Sequence, residues 1–210
     1  MSWIRTIPKP VKLCIENPDY PIKTVFEGYD WNLSGGTKQA GILAAAFILA
    51  NNVDTVIEIG IFNGFSSHIL AKALASNTKH GFLLSVDINP HAIVRSQNIT
   101  KGLPLTHKHF LGDSKDIDYD KELWGRKPGL AFVDGNHEYF YAKNDLLKCY
   151  EVLKPFGIII LHDYSKAGFP GVYKAGNEIR DDKGASLFFI DENRESTDYR
   201  TAIIQKKGDY

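Results

Sequence analysis

The sequence predicts an α/β sandwich built on a mostly parallel sheet whose last strand runs antiparallel. Three observations carry this. Short apolar, β-branched runs alternate with longer stretches of helical periodicity. From the second to the fifth, each run delivers an aspartate at or just past its end: Asp87, Asp113, Asp134 and Asp163. The last two runs flank a polar turn with no helical segment between them, which is the mark of a closing hairpin.

The elements follow in order. Met1 to Asn32 carries Pro8, Pro10, Pro18 and Pro21 among Trp3, Tyr20, Phe26, Tyr29 and Trp31, so residues 1–33 are expected to form an arm or lid, extended or short-helical, ahead of a domain at 34–210. Ser34-Gly35-Gly36-Thr37 starts a helix with an apolar face of Ile42, Leu43, Ala46, Phe47 and Leu49, stopping at Asn51-Asn52. Thr55 to Ile59 reads as a buried strand; it turns through Gly60 and Gly64 into a helix bearing Ile69, Leu70, Ala73 and Leu74. Gly81 to Asp87 is the second strand, and Asn89-Pro90 opens the next helix. The interval between Glu58 and Asp87 suits one βαβ unit of about 30 residues. Leu105 to Leu111 is a third strand, with His107 and His109 expected at an exposed edge, and Gly112-Asp113-Ser114 opens a helix expected to run through Trp124. Leu130 to Val133 is the fourth strand, followed by a helix through Leu146, Leu147, Tyr150 and Leu153 to Pro155. Gly157 to Leu161 is the fifth. A helix through Arg180 then leads to the pair Ser186–Ile190 and Thr201–Gln205.

Composition bounds the function. The 210 residues suit one domain with a sizeable core. Lys+Arg and Asp+Glu each number 25, so no net field draws the chain to nucleic acid or to an anionic membrane, and a small-molecule substrate is expected. The two cysteines, Cys14 and Cys149, have no metal or redox spacing, which suits a reducing, cytoplasmic setting. Ala40 to Ala50 is too short to span a bilayer, and the amino terminus lacks the apolar core of a signal peptide.

The candidate site lies at the strand tips. A strand turning through glycines into a helix points backbone N–H groups into a crevice. Glu58, in an otherwise apolar strand, must be solvated or paired. A dinucleotide would need glycine inside the turn, where Ile61, Phe62 and Asn63 stand; a cationic sulfonium ligand with an amino-acid tail has no such need and favours a nearby acid. Glu58 and Asp87 are therefore expected to face a common hollow. Asp87 is placed to grip a ribose diol. Asp113 and Ser114 either cap the next helix or bond a base edge. Asp134 with His137, and His162 with Asp163, suit either a divalent cation or acid–base work, against a plain capping role.

The set Glu58-x-Gly60-x-x-x-Gly64, Asp87, Gly112-Asp113-Ser114, the Asp-bearing fourth and fifth strands and the final hairpin resembles a class I S-adenosylmethionine-dependent methyltransferase. Within that class the chain is similar to the small O-methyltransferases of the catechol type and to bacterial tailoring enzymes. The resemblance implies a Rossmann-like three-layer sandwich with seven strands ordered 3-2-1-4-5-7-6. It implies that Glu58, Gly60, Phe62, Gly64 and Ser66 surround the methionine moiety, Asp87 the ribose, and Asp113 with Ser114 the adenine. Asp134 and Asp163 match metal-ligand positions for Mg2+ or a similar ion, with His162 a substitute ligand. His137 stands at the position of the catechol type's lysine base. Tyr164 replaces an asparagine ligand of that type. The implied activity is O-methylation of a small-molecule hydroxyl; separately, the aromatic arm makes a homodimer a reasonable assembly. An NAD-dependent oxidoreductase and a non-catalytic nucleoside-binding protein are the alternatives.

Overall fold

A computed structural model describes residues 37–77, 80–191 and 200–208. The proline- and aromatic-rich arm, Cys14, the start at Ser34 and most of the hairpin turn lie outside the described residues.

The elements run α1 (Lys38–Ala50), β1 (Thr55–Ile59), α2 (Phe65–Asn77), β2 (Gly81–Asp87), α3 (Pro90–Thr100), β3 (Leu105–Leu111), α4 (Tyr119–Glu122), β4 (Leu130–Val133), α5 (Tyr139–Val152), β5 (Ile158–Leu161), α6 (Pro170–Lys183), β6 (Ser186–Asp191) and β7 (Arg200–Gln205). They form one seven-stranded sheet in the order β3-β2-β1-β4-β5-β7-β6. Neighbours from β3 to β5 pair in parallel, while β7 runs antiparallel to both β5 and β6. The central strands are buried on both faces, which is why they read as unbroken apolar runs.

Side-chain parity divides the core in two. Ile57, Ile59, Leu84, Val86, Ala131, Val133, Ile159 and Leu161 pack against α5 and α6. Val56, Leu83, Leu130, Phe132, Ile158 and Ile160 pack against α1 and α2. The first helix buries a different stripe from the one expected: Ala40, Gly41, Ala44, Ala45 and Ile48 are its buried positions, with Leu43, Phe47 and Leu49 only partly covered. Small residues win because α1 lies tight on α2; a Cβ on Gly41 would come within 2.8 Å of Ile69 Cδ1.

The helix expected from Asp113 through Trp124 is broken into a 3₁₀ turn, Ser114–Asp116, and the single-turn α4. Ile117 and Asp118 adopt extended dihedrals between them, and the Asp118 carboxylate restarts the helix by accepting from the Lys121 N–H. Asn89 caps α3 through the His91 N–H at 2.9 Å, with Pro90 in its first turn. Gly184, in the left-handed region at φ 58°, ends α6.

Candidate active site

A cavity of about 530 Å³ opens at the carboxyl ends of β1 to β4. Its walls include Gly60 and Phe62 from the first turn, Asp87 from β2, Asp113 and Ser114 after β3, and Asp134 and His137 after β4. The sheet thus brings together seven of the expected site residues. Glu58, Gly64, Ser66, His162 and Asp163 are not among its walls.

The first turn is shaped by backbone strain and close approach. Gly60 has φ 87°, and a Cβ there would stand 2.0 Å from the Asp134 carbonyl oxygen, so only glycine lets β1's exit cross the tip of β4. Phe62 also takes a left-handed φ of 50°, with its ring exposed at the cavity mouth. Its carbonyl accepts from Arg95 of α3 at 2.8 and 3.2 Å. Asp87 fixes the turn from the other side, its Oδ2 accepting from the Ile61 and Phe62 N–H groups and its Oδ1 from the Asn89 N–H at 2.8 Å. A carboxylate offers about four acceptor sites. Asp87 therefore organises the loop and still presents acceptor capacity to the cavity.

Glu58 does not share this hollow. Parity places it in register with Ser85 and on the face covered by α2 and α3, opposite to Ile57 and Ile59. It is fully buried and accepts from Ser67 Oγ at 2.7 and 3.0 Å and from Ser85 Oγ at 2.5 Å. Burial lifts its pKa to about 7, against the opposing effect of hydrogen bonds from Ser66, Ser85 and Ser67. The network continues through Ser85 Oγ to His107 Nε2 at 2.8 Å and from His107 Nδ1 to Thr100 Oγ1 at 2.9 Å. His107 and His109 are thus not an exposed edge. Their rings stack at 3.9 Å beneath α3, and burial depresses the pKa of His107 to about 3. Glu58 ties β2 to the start of α2 on the far side of the sheet from the cavity.

Behind the Asp134 and His137 wall of the cavity four side chains converge. His162 Nδ1 lies 3.2 Å from Asp134 Oδ1 and 3.1 Å from Asp163 Oδ2. His137 Nε2 lies 3.3 Å from Asp163 Oδ2 and 3.7 Å from Asp134 Oδ1, close enough to feel both charges but too poorly angled for an aligned hydrogen bond. Asp134, and next Asp163, raise the His137 pKa to about 9. Burial opposes protonation of His162, yet the same two carboxylates hold its pKa well above the usual histidine range. Asp163, whose burial would raise its pKa, is instead held low by His137 and His162. Asp163 adopts φ 54°, a strained conformation of the kind that clusters at functional sites. The Phe169 ring stacks on His137 at 4.2 Å and closes that side.

One donor atom each from Asp134, His162 and Asp163 lie within 4.8 Å of one another. Two carboxylate oxygens and an imidazole nitrogen are a donor set that suits a divalent cation. Tyr164 adds nothing to it, since the side chain is buried and packs on Tyr173 and Phe189.

Two cavity residues on α5, Tyr141 and Asp145, were not expected from the sequence. The legible signal for Asp145 was an acid inside the apolar stripe Ala142, Leu146, Cys149, which is buried against the sheet.

Sheet order, glycine turn and cavity define the class I methyltransferase fold. Residues 57–164, just over half of the chain, match the family model described as a methyltransferase domain. The chain belongs to this family, and with it to the S-adenosylmethionine-dependent methyltransferases of class I. No curated protein matches it in sequence. Among solved structures, cofactor-bound Rv0187 from MTB shares 15% identity at a TM-score of 0.68, over 90% of this chain and 87% of that one. An O-methyltransferase from Bacillus cereus, in complex with SAH, shares 12% over 92% and 94% at a TM-score of 0.64. The O-methyltransferase TomG from Streptomyces achromogenes, involved in tomaymycin synthesis and in complex with SAM, shares 14% over 91% and 92% at a TM-score of 0.65. At these identities the likeness is one of fold. Among the described residues no helix is long and apolar enough to cross a membrane.

Proposed function

We propose that the protein moves the sulfonium methyl of S-adenosylmethionine to a hydroxyl oxygen of a small molecule. The observation that carries the reading is the convergence of His137 with Asp134 and Asp163 at the cavity's Asp134 and His137 wall, an arrangement that cofactor binding alone does not require. The O-methyltransferases of the same fold, one of them in tomaymycin synthesis, support it.

In this reading the acceptor oxygen attacks the methyl carbon, the S–CH3 bond breaks with its electrons passing to sulfur, and the hydroxyl proton goes to His137 Nε2. Most of the rate enhancement comes from holding oxygen, methyl and sulfur in line. Gly60 and Phe62 lie against the methionine moiety, Asp87 accepts from the ribose, and Asp113 and Ser114 border the base. Glu58, Gly64 and Ser66 act from outside the cavity, where Glu58 joins β2 to the start of α2. A divalent ion held by Asp134, Asp163 and His162 would supply positive charge that acidifies and positions the acceptor hydroxyl. His137 must be neutral to accept a proton, and the two carboxylates now favour its charged form. Sharing those carboxylates with a cation would return it toward a base near neutral pH.

We assign residues 34–210 to the catalytic domain and 1–33 to an arm over the acceptor end. The exposed side chains of Phe62, Ile88 and Phe140 offer apolar surface for such a cover or for the acceptor itself. The buried free thiol of Cys149 agrees with a reducing cytoplasmic setting.

Calorimetry with S-adenosylhomocysteine, followed by methyl transfer to a panel of hydroxylated small molecules with and without Mg2+, tests the reading. Absence of binding up to millimolar ligand would end it. Binding without turnover on any acceptor would favour a nucleoside-binding protein.

A further inference from the structure

The two edges of the sheet are guarded differently. β3 carries Lys108 at its middle, with His107 and His109 on either side, the kind of residue that keeps an open edge from recruiting another strand. β6 reads Ser-Leu-Phe-Phe-Ile-Asp, with no lysine and no proline, and its one charged residue is the last. Among the described residues no strand pairs with its outer side. Phe188 is 60% and Phe189 48% exposed, on opposite faces. Backbone parity fixes which groups lie open. The Arg200 carbonyl accepts from the Tyr164 N–H, and the N–H of Lys206, just past β7, donates to the Gly157 carbonyl, so both residues address the β5 side. The alternate residues Thr201, Ile203 and Gln205 address β6, where they face Ile190, Phe188 and Ser186. The N–H and C=O groups of Leu187 and Phe189 therefore point away from the sheet, one residue on each side of Phe188.

We propose that the outer edge of β6 docks a second copy of this chain, the two strands running antiparallel about a two-fold axis at Phe188. Parity allows that axis. Leu187 of one copy and Phe189 of the other exchange both backbone hydrogen bonds on each side of it, which leaves the two Phe188 residues as a non-hydrogen-bonded pair. Directly opposed aromatic side chains are a favourable cross-strand pair, and Leu187 meets Phe189 on the other face. The strand ends match as well. Near the start of β6, Lys183, Lys206 and Lys207 outnumber Asp182 and Glu151, Arg180 and Asp181 being paired with each other. The Lys207 ammonium lies beside Gly184. At the other end Asp191 closes the strand, and the turn that follows it in sequence carries Glu192, Glu195 and Asp198 against Arg194 alone. Antiparallel pairing sets the basic end of each copy beside the acidic end of the other, a complementarity that favours a second copy over an unrelated strand. The axis also reverses the strands, so the two cavities open at opposite ends of the joined sheet, and no residue of β6 lines either one.

Sedimentation velocity of the full chain over a dilution series reads the assembly. The wild type should run at twice the 23.5 kDa of one chain and fall to a single chain only on dilution. Phe188→Lys, which installs the guard that β3 already has, should run as a monomer where the wild type is dimeric, with unchanged far-ultraviolet circular dichroism. Should that variant fail to fold, Phe189→Pro removes an outward N–H, leaves the bonds to β7 whole and should give the same monomer. The register has its own readout. Opposed residues in a non-hydrogen-bonded pair have Cα atoms about 4.5 Å apart, within the roughly 4.4–6.8 Å that a disulfide spans. In a Cys14→Ser background, Phe188→Cys should yield a reducible covalent dimer under mild oxidation, while Ser186→Cys, which falls opposite Ile190, should yield little or none. A monomeric wild type overturns the inference and gives the edge to another occupant, residues 1–36 of this chain among them. A dimer that survives in a folded edge variant, or cross-linking as strong from Ser186→Cys as from Phe188→Cys, overturns it as well.

Discussion

The carboxylate of Asp87 receives the backbone N–H of Ile61 at 2.8 Å, so the tip of β2 is fastened to the glycine turn that follows β1. Two crossover connections that are separate in sequence thereby share one anionic clasp. Hydrogen bonds to a charged group contribute on the order of 1.5–3 kcal/mol each. Asp87→Ala removes the bonds to Ile61, Phe62 and Asn89 together with any to a ribose. Affinity for S-adenosylhomocysteine should drop at least tenfold, with a lowered melting temperature. Asp87→Asn, which keeps one acceptor oxygen, should fall between. Calorimetry and thermal melts read both.

The crossing of β1's exit over β4 sets a steric limit. Gly60→Ala places a methyl group where the Asp134 carbonyl already stands and forces an L-residue to φ 87°. The backbone conformation alone costs roughly 1–2 kcal/mol, and relief of the clash must move Asp134 as well. The expected result is a protein that melts lower and binds S-adenosylhomocysteine weakly even where it folds.

Glu58 predicts a pH dependence of stability. Its pKa in the fold is about 7, above its ordinary value of 4.5. The folded state therefore holds this proton more tightly than the unfolded state does. The resulting stability is fully present below pH 4.5 and is lost as pH rises through 7. The difference amounts to on the order of 3 kcal/mol. Glu58→Gln should remove this slope: urea unfolding at pH 5 and pH 8 should show wild type losing ground to the variant at the higher pH. An identical pH profile for both proteins would count against the buried, protonated carboxyl.

His137→Gln should lower kcat by about 10²- to 10⁴-fold, the usual contribution of a positioned acid–base group. Its effect on S-adenosylhomocysteine affinity should stay within a few-fold. The retained activity of the wild type should rise with pH as His137 gives up its proton. With chelator present that limb belongs near pH 9; saturating divalent cation should move it to lower pH by competing for Asp134 and Asp163. A limb that ignores the cation would remove these two residues as its ligands.

The parallel sheet was legible in the sequence because each central strand is buried on both faces and the strands deliver polar groups at the same edge, while the strand order came with the family resemblance. The meeting of Asp134 and His137 with His162 and Asp163 was legible for the same reason, since β4 and β5 are adjacent and in parallel register. What a sequence does not carry is the face on which a lone polar residue falls. Glu58 and Asp87 both sit near strand ends, yet parity sends the first toward α2 and α3, while the second stands at the strand's last residue, where the chain has begun to turn. His107 and His109 were expected at an exposed edge because their partners lie elsewhere in the sequence, Ser85 on β2 and Ser96 and Thr100 on α3. Asp145 was hidden by its helix, where an acid in an apolar stripe is ordinarily read as a boundary of that stripe. The helix expected through Trp124 failed on local chemistry, since Asp113 and Asp118 each cap a short turn of their own.

Helix α3 grips the carbonyl of Phe62 with Arg95 on one side and, through Ser96 and Thr100, steadies the histidine pair on the other. It works as a splint for the whole nucleotide-facing loop while contributing little to the pocket itself. Anyone recombining this chain with a distant homologue should therefore exchange Pro90–Thr100 together with the glycine turn and β3, as one cassette. Crossovers placed between those pieces would yield folded chimeras whose loop keeps the Asp87 clasp but loses the Arg95 brace.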